Sequence, residues 1–225
     1  SISCGKCAVC RSGYTNRCEH LAPISYDYPG AFADYIAIPP AGVIGGNVIK
    51  VPESLGELAA LAEPTSCVIN SQILAGVKTG DTVVILGCGP LGAIHAQVAR
   101  ANGARKIIVT QRSDKRLQLA EMLELDAIID VKKEDAVDAI MRLTGGNGAD
   151  VVIVTAPEAQ VQEQAVSMVC KGGMINLFAS LPAGESDLKI DSRLIHYREL
   201  FLSGASDSSP YHVELAVKLL DRGLI

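Results

Sequence analysis

The pattern of apolar and polar residues changes character once along the chain, near residue 63. Beyond that point, short runs of β-branched and aliphatic residues alternate with segments in which apolar residues recur every three or four positions. This alternation is typical of a parallel sheet that is covered by helices on both faces. The apolar runs predict strands at residues 82–86, 107–110, 127–129, 151–155, 174–178 and 200–203.

Helical periodicity fills most of the intervals between these runs. It predicts helices at residues 91–101, 115–123, 136–143 and 160–170. Strands and helices that alternate in this way indicate an α/β fold with a doubly wound parallel sheet of the Rossmann type. We assign this domain to residues 63–225.

Residues 1–62 are richer in proline, glycine and short β-like stretches, such as residues 31–38 before Pro39 and Pro40. The β-like stretch predicts a strand at residues 31–38. A segment of this length is too short to bury a substantial core by itself. We therefore expect residues 1–62 to form an incomplete, mainly β domain.

Composition narrows the classes of partner. The 225 residues include 48% hydrophobic residues and carry a net charge of −5, which argues against a nucleic-acid-binding surface because such a surface would be basic. No apolar run approaches the roughly 20 residues that a membrane helix needs. We expect a cytoplasmic protein that acts on a small molecule and binds neither membrane nor nucleic acid.

The strongest local signal is a run of cysteines, Cys4-x2-Cys7-x2-Cys10-x7-Cys18. Thiols this close cannot all pair as unstrained disulfides. They can converge on one tetrahedral Zn²⁺, and a closed four-thiolate shell is a structural site, not a catalytic one. Free or disulfide-bonded thiols are one alternative, and an iron–sulfur cluster, which the spacing fits loosely, is another. The spacing favours structural zinc.

A glycine pattern follows the first predicted strand, in Gly87-Cys88-Gly89-Pro90-Leu91-Gly92. In a strand–turn–helix context, Gly87 permits the tight turn, Gly89 allows a pyrophosphate to approach, and Gly92 allows close helix–strand packing. Free N–H groups at the start of the helix, near Pro90 and Leu91, would meet the phosphates. The alternative is a glycine-rich turn that binds no ligand. We interpret the pattern as a dinucleotide site.

The end of the second predicted strand bears on the choice of cofactor. An NAD site places an acidic residue there, whereas this chain has Gln111, Arg112 and Ser113. Arg112 can make a bidentate contact with a 2′-phosphate, and Gln111 and Ser113 can add hydrogen bonds. Alternatively, Ser113 caps the next helix and Arg112 is a solvated surface charge. The residues favour NADP(H) over NAD(H).

Together these motifs resemble the zinc-containing medium-chain alcohol dehydrogenases. The Glu-Pro form at Glu63 is similar to the polyol branch, which includes sorbitol dehydrogenase. The resemblance implies that residues 1–62 belong to a GroES-like domain whose structural zinc is held by Cys4, Cys7, Cys10 and Cys18. It spans the chain and rests on the cysteine run and on residues 30–35 (GAFADY), 61–64 (LAEP) and 78–87 (KTGDTVVILG).

The resemblance also assigns individual residues. On electrostatics alone, Glu63 is simply a carboxylate placed favourably before a helix. The resemblance implies that it belongs to the shell of the catalytic zinc, directly or through water, and hence is a catalytic residue. Ala156 and Phe178 could also be ordinary packing residues. The residues implied near the nicotinamide are Thr155, Ala156, Phe178, Ala179, Ala205 and Ser206.

The family also holds its catalytic zinc with a cysteine and a His-Glu pair that precede the cysteine run. This chain begins with Ser1, so we expect a fragment that is inactive alone. The resemblance implies a zinc-dependent, NAD(P)-linked oxidoreductase, a homo-dimer or homo-tetramer, that oxidises a secondary alcohol, polyol or sugar alcohol by hydride transfer. The alternatives are a zinc-free quinone or enone reductase and a non-catalytic dinucleotide-binding module.

Overall fold

Six parallel strands form one sheet in a computed structural model that describes residues 1–225. The order β3-β2-β1-β4-β5-β6 reverses direction beside β1, which is the strand order of a doubly wound dinucleotide-binding sheet. In the register, Val84 of β1 lies between Ile108 of β2 and Val152 of β4. The strands are β1 (Thr82–Leu86), β2 (Lys106–Gln111), β3 (Ala127–Asp130), β4 (Ala149–Val154), β5 (Val169–Leu177) and β6 (Phe201–Gly204).

The chain also forms nine α-helices and two 3-10 helices. None of the helices combines the length and the apolar character needed to cross a membrane. The 3-10 helices are Thr15–Arg17 and Glu53–Leu61. The α-helices are α1 (Ala8–Arg11), α2 (Pro40–Ile44), α3 (Ala62–Ala75), α4 (Pro90–Ala101), α5 (Asp114–Ala120), α6 (Ala136–Leu143), α7 (Ala159–Met168), α8 (Ser192–Arg198) and α9 (Pro210–Asp221).

The core lies on both faces of the sheet because successive residues of each strand point to opposite faces. Val83 and Ile85 of β1 pack in a cluster with Ala96 and Ala99 of α4. The alternate residues of the same strand pack in a second cluster with residues of α6 and α7. All five residues of β1 are buried, which explains why this strand is a continuous apolar run in the sequence. The predicted doubly wound fold is confirmed.

The chain forms two compact units. Unit 1 comprises residues 1–70 and 206–223, and unit 2 comprises residues 71–205 and 224–225. Unit 2 contains the whole sheet. The assignment of residues 1–62 and 63–225 to two domains stays a prediction.

Two sequence-based expectations for unit 1 are wrong. Residues 31–38 form bends and irregular chain instead of a strand, and in unit 1 only isolated bridges occur, Ile2 with Ala22 and Ile24 with Tyr28. A strand needs a neighbour to pair with, and unit 1 offers none to residues 31–38. Glu63 was expected before a helix, but α3 begins at Ala62 because the preceding 3-10 helix runs directly into it. Pro64 is tolerated there because N–H groups of a first turn need no intrahelical acceptor.

In unit 2 the boundaries differ in smaller ways. The helix after the glycine pattern begins at Pro90, so Gly92 lies inside its first turn and does not precede it. The helix predicted to reach residue 170 ends at Met168, because Val169 pairs with Ala149 and starts β5. Thr155, predicted as the end of a strand, lies just beyond β4.

Candidate functional site

The glycine loop between β1 and α4 has a geometry that side chains would disrupt. Gly87 has φ +103°, a region that favours glycine. A Cβ atom on Gly92 would lie only 2.1 Å from the carbonyl oxygen of Gly87. Thr155 donates a hydrogen bond from Oγ1 to that same oxygen (2.7 Å). The loop is therefore tightly packed on the β4 side and specifies glycine at both positions.

Gly89 is different, because an added Cβ there would make only an ordinary van der Waals contact. It caps α4 with φ −82°, and the nearest atom to an added Cβ, Nη1 of Arg116, is 3.6 Å away. The first helical hydrogen bond runs from the Ala93 N–H to the Gly89 carbonyl (2.9 Å). The N–H groups of Leu91 and Gly92 precede it and are free to meet an anion.

These groups line a crevice of about 700 Å³ at the carboxyl ends of β1, β2 and β4. This volume lies within the range of roughly 300–1,000 Å³ that is usual for small-molecule sites. The strand order reverses at this point, which is where open α/β sheets bind their ligands. The residues predicted from the sequence that line the crevice are Gly87, Gly89, Pro90, Leu91, Gly92, Gln111, Arg112, Thr155 and Ala156.

The end of β2 is shaped by Gln111. Its side chain is buried, and Oε1 accepts hydrogen bonds from the N–H groups of Arg112 (2.8 Å) and Ser113 (3.0 Å). Gln111 therefore fixes the turn that presents Arg112 to the crevice. Ser113 occupies the cap position of α5, but its hydroxyl makes no capping hydrogen bond, and it does not line the crevice.

Four charged residues of the crevice were not predicted from the sequence: Arg116, Glu134, Asp135 and Glu158. Glu158, beyond the end of β4, forms an ion pair with Arg112 (Oε1 to Nη2, 3.1 Å). Arg116, four residues after Arg112 on α5, lines the same crevice beside Gly89. Arg116 lies in the first turn of α5, just after the turn that holds Arg112, and this closeness in sequence was the available signal. Nothing local in the sequence indicated Glu158.

Phe178 and Ala179 follow β5 but do not line the crevice. Phe178 stacks edge-on against the fully buried ring of His95 on α4, with 4.6 Å between centroids. Burial lowers the pKa of His95 to about 3, so the ring is neutral at physiological pH. Gln72 donates from Nε2 to the His95 carbonyl (2.7 Å). His95 is a core residue, as its apolar helix face predicted.

The remaining predicted residues fall in different units. Ala205 follows β6 in unit 2, whereas Ser206 and Glu63 belong to unit 1. The carbonyl of Ser206 accepts a hydrogen bond from Asn70 Nδ2 (3.4 Å). Glu63 is exposed on the first turn of α3, and Cys67, one turn later, donates to its Oε1 (3.4 Å).

A catalytic zinc takes about three protein ligands. In unit 1, Glu63 and Cys67 bring only one carboxylate and one thiol together, and burial raises the pKa of Cys67 to about 12. The residues of this unit thus do not complete a catalytic metal site around Glu63.

Cys4, Cys7, Cys10 and Cys18 do form a cluster, with all four Sγ atoms within 4.8 Å of one another. A tetrahedral zinc with Zn–S bonds of about 2.3 Å requires sulfurs roughly 3.8 Å apart, so the cluster fits this ion. No other group of three or more potential ligands occurs in the chain. The four cysteines are free thiols in unit 1, two of them buried.

Backbone N–H groups point at these sulfurs. Those of Cys4 and His20 donate to Cys18 Sγ (3.3 Å each), and that of Cys7 donates to Cys4 Sγ (3.4 Å). The N–H of Cys10 is the main cause that lowers the pKa of Cys7 to about 6, whereas burial raises the pKa of Cys10 to about 12. N–H donors favour thiolates, and thiolates bind metal.

Comparison with known proteins shows the family of the chain. The family model described as "Zinc-binding dehydrogenase" matches residues 90–222. An L-threonine 3-dehydrogenase of Pyrococcus abyssi is 36% identical over 205 residues, which are 90% of this chain and 56% of that protein. The chain thus spans about half the length of the curated relatives it matches.

Solved structures show the same fold. A zinc-binding dehydrogenase of Sinorhizobium meliloti 1021, bound to NADP, superposes with a TM-score of 0.90 at 32% identity, covering 100% of this chain and 64% of that one. An alcohol dehydrogenase (rspB) of Escherichia coli CFT073, complexed with NADH, gives 0.86 at 25% identity, covering 100% and 64%. The neighbours therefore include both an NADP and an NADH complex.

Proposed function

The chain belongs to the zinc-binding dehydrogenases, the zinc-containing medium-chain family, and from this premise we propose that it carries the cofactor site and structural-zinc lobe of an NAD(P)-linked alcohol dehydrogenase. The observation that carries this proposal is the crevice at the carboxyl ends of β1, β2 and β4, floored by Gly87, Gly89 and Gly92. When bound there, the nicotinamide cofactor supplies the hydride acceptor.

The chain's own residues would bind and orient this cofactor. Gly89 leaves room for a pyrophosphate, and the free N–H groups of Leu91 and Gly92 sit at the positive end of α4. Thr155 holds the loop by its hydrogen bond to the Gly87 carbonyl. Phe178, Ala179, Ala205 and Ser206 stay predicted as residues near the nicotinamide.

We propose that the site prefers NADP(H). No carboxylate ends β2; instead Gln111 is buried and turns Arg112 towards the crevice. Arg116 adds a second guanidinium beside Gly89 and forms no ion pair. Two guanidinium groups on one wall suit a 2′-phosphate. The NADP complex of the S. meliloti neighbour is consistent with this preference.

The substrate we propose is a secondary alcohol, polyol or sugar alcohol. The Glu-Pro form at Glu63 supports the polyol branch, and the P. abyssi relative is named for threonine, whose C3 hydroxyl is a secondary alcohol. Glu63 would contribute one carboxylate oxygen to a catalytic metal, which supplies Lewis-acid chemistry when bound. Unit 1 does not complete that site, because only the Glu63 carboxylate and the Cys67 thiol meet there.

The cysteine lobe, residues 4–18, would hold a structural zinc through Cys4, Cys7, Cys10 and Cys18. The fit of the four sulfurs to a tetrahedral ion supports this role. The same cluster disfavours a zinc-free quinone or enone reductase. We also propose a cytoplasmic homo-dimer or homo-tetramer, which light scattering of the purified protein would test.

Calorimetric titration of NADPH and NADH tests the cofactor proposal. We expect binding of both, tighter for NADPH, and loss of binding in Gly89→Val, whose side chain would enter the crevice. The melting temperature of Gly89→Val should stay close to that of the unmodified protein, because an added Cβ makes only an ordinary van der Waals contact with the Arg116 side chain, at 3.6 Å. A folded Gly89→Val protein with full affinity for NADPH would contradict the proposed site.

Arg112→Asp tests the preference. It should weaken NADPH binding by about 1.5–3 kcal/mol, the range for hydrogen bonds to charged groups, and affect NADH far less. Arg222→Ala, which removes an exposed guanidinium of unit 1, is the charge control. Equal or tighter binding of NADH by the unmodified protein would refute the preference.

A further inference from the structure

The ion pair between Arg112 and Glu158 crosses the cofactor crevice. Arg112 follows β2 and Glu158 follows β4, and these two strands flank β1 on opposite sides. Both side chains line the crevice, and their charged atoms meet at 3.1 Å and 3.4 Å. The pair therefore bridges the two walls above the glycine loop at the end of β1.

Glu158 differs from the other carboxylates of the crevice. Glu134 is paired with Arg142 (2.7 Å), and Asp135 caps α6 by accepting the Asp138 N–H (3.0 Å). Each of those two has a partner outside the cofactor-binding residues. Glu158 has Arg112 as its only ion-pair partner, and Arg112 is the residue we assign to the 2′-phosphate.

We propose that Glu158 limits the preference of this crevice for NADP(H) by competing with the 2′-phosphate for the Arg112 guanidinium. The inference rests on the proposed dinucleotide site. A 2′-phosphate that binds Arg112 must displace the Glu158 carboxylate and then lie near that unpaired negative charge. NAD(H) has no such phosphate, so its binding leaves the pair intact. Glu158 thereby reduces the difference in affinity between NADP(H) and NAD(H) that Arg112 and Arg116 produce.

Both members of the pair are accessible enough to exchange partners. The Arg112 side chain is 68% exposed and the Glu158 side chain 44% exposed. Ion pairs at such positions contribute little to stability, so breaking this pair should not unfold the protein. Because the ion pair is weak, a 2′-phosphate can still displace Glu158. A doubly charged phosphate is the stronger partner for a guanidinium.

The test is calorimetric titration of NADPH and NADH into the unmodified protein and Glu158→Gln. The glutamine keeps the shape of the side chain and removes its charge. We expect Glu158→Gln to bind NADPH roughly three- to tenfold tighter, as removal of one nearby charge at a partly exposed site would give. NADH affinity should change less than about twofold, because NADH does not displace the pair.

A double-mutant cycle tests whether Glu158 affects NADPH binding through Arg112. In an Arg112→Ala background, Glu158→Gln should give little further gain in NADPH affinity. Glu124→Gln is the matched control, because Glu124 is an exposed carboxylate outside the crevice. It should change neither affinity.

The outcomes separate this inference from the proposed function. Unchanged or weaker NADPH binding by Glu158→Gln would overturn the inference, since Glu158 would then only position Arg112. A gain that persists in the Arg112→Ala background would overturn it as well. An unmodified protein that prefers NADH, with a gain for NADPH in Glu158→Gln, would support the inference and refute the NADP preference alone. Binding of neither cofactor to the unmodified protein would overturn the proposed function itself.

Discussion

In the sheet unit the glycine loop follows β1, a strand in which every residue is buried, whereas in the cysteine lobe most residues around the four sulfurs are exposed. Val83, Val84 and Ile85 have no accessible surface, and apolar clusters cover both faces of the sheet. In the lobe, only Cys10 and Cys18 are buried, and α1 is four residues long. A short helix of that kind is not stable alone.

The difference shows that the two functional regions depend on different interactions. Hydrophobic burial positions the cofactor crevice, so the crevice geometry should persist without any ligand. The lobe has too little apolar contact for this, so we expect it to depend on the proposed bonds between its sulfurs and a zinc ion. Treatments that remove the metal should therefore disrupt the lobe and leave the crevice intact.

The largest effect is expected from Cys10→Ser. A structural zinc contributes on the order of 10–16 kcal/mol to the folding of a small metal-binding unit, so loss of one ligand should abolish binding. We expect zinc content to fall from one ion per chain to none and residues 4–18 to become sensitive to protease. NADPH affinity should stay within about twofold, because no lobe residue lines the crevice.

Cys170→Ser is the control for this experiment, because Cys170 is a free thiol outside the lobe. It should keep both zinc and protease resistance. A purified protein that contains no zinc, but whose lobe resists protease, would show that the lobe folds without metal. That result would contradict the expected difference between the two regions.

The second prediction concerns a variant that weakens the sheet unit and leaves the zinc of the lobe in place. Ile153→Ala truncates a fully buried side chain at the centre of the sheet and should cost about 2–5 kcal/mol of unfolding free energy. Urea denaturation followed by circular dichroism measures this. Zinc content should be retained in the folded fraction. Leu119→Ala, at a half-exposed site on α5, should change stability little. Equal losses in both variants would contradict a core-dependent sheet unit.

The third prediction concerns the stability of the protein at acidic pH. His95 is buried and neutral with a pKa of about 3, below the ordinary value of 6.5. The unfolded chain therefore binds a proton that the folded chain does not between pH 6.5 and pH 3, and stability falls as pH decreases through this window. From pH 7 to pH 5 this single group should cost about 2 kcal/mol of unfolding free energy.

His95→Leu serves as the comparison, since it removes the titrating ring but keeps an apolar side chain. It should lower stability at pH 7 and flatten the pH dependence. Urea titrations at pH 7, 6 and 5 give the slopes. A His95→Leu protein with the full acid sensitivity would show that another group causes it.

The same contrast explains what could be predicted from the sequence. All six strands were located because each is a local apolar run, and the glycine loop was located because its geometry requires glycine at Gly87 and Gly92. The four cysteines were evident from spacing. Residues 31–38 were misassigned because a strand depends on a partner that local pattern does not reveal. The pair of Arg112 and Glu158 joins residues 46 positions apart, and no local signal encodes it.

The smallest expected effect belongs to Thr155→Val, which keeps the shape of the side chain and removes its hydroxyl. Thr155 Oγ1 donates to the carbonyls of Gly87 (2.7 Å) and Leu86 (3.1 Å), so the variant should lose about 0.5–1.5 kcal/mol of stability. Because this bond fixes the glycine loop, NADPH affinity should fall by a comparable amount. Thr79→Val removes a longer hydrogen bond, to the Asn102 carbonyl (3.3 Å), outside the crevice, and should leave affinity unchanged. If Thr155→Val weakened stability but not cofactor affinity, the loop would be held by packing alone, and burial would account for the crevice without help from this hydrogen bond.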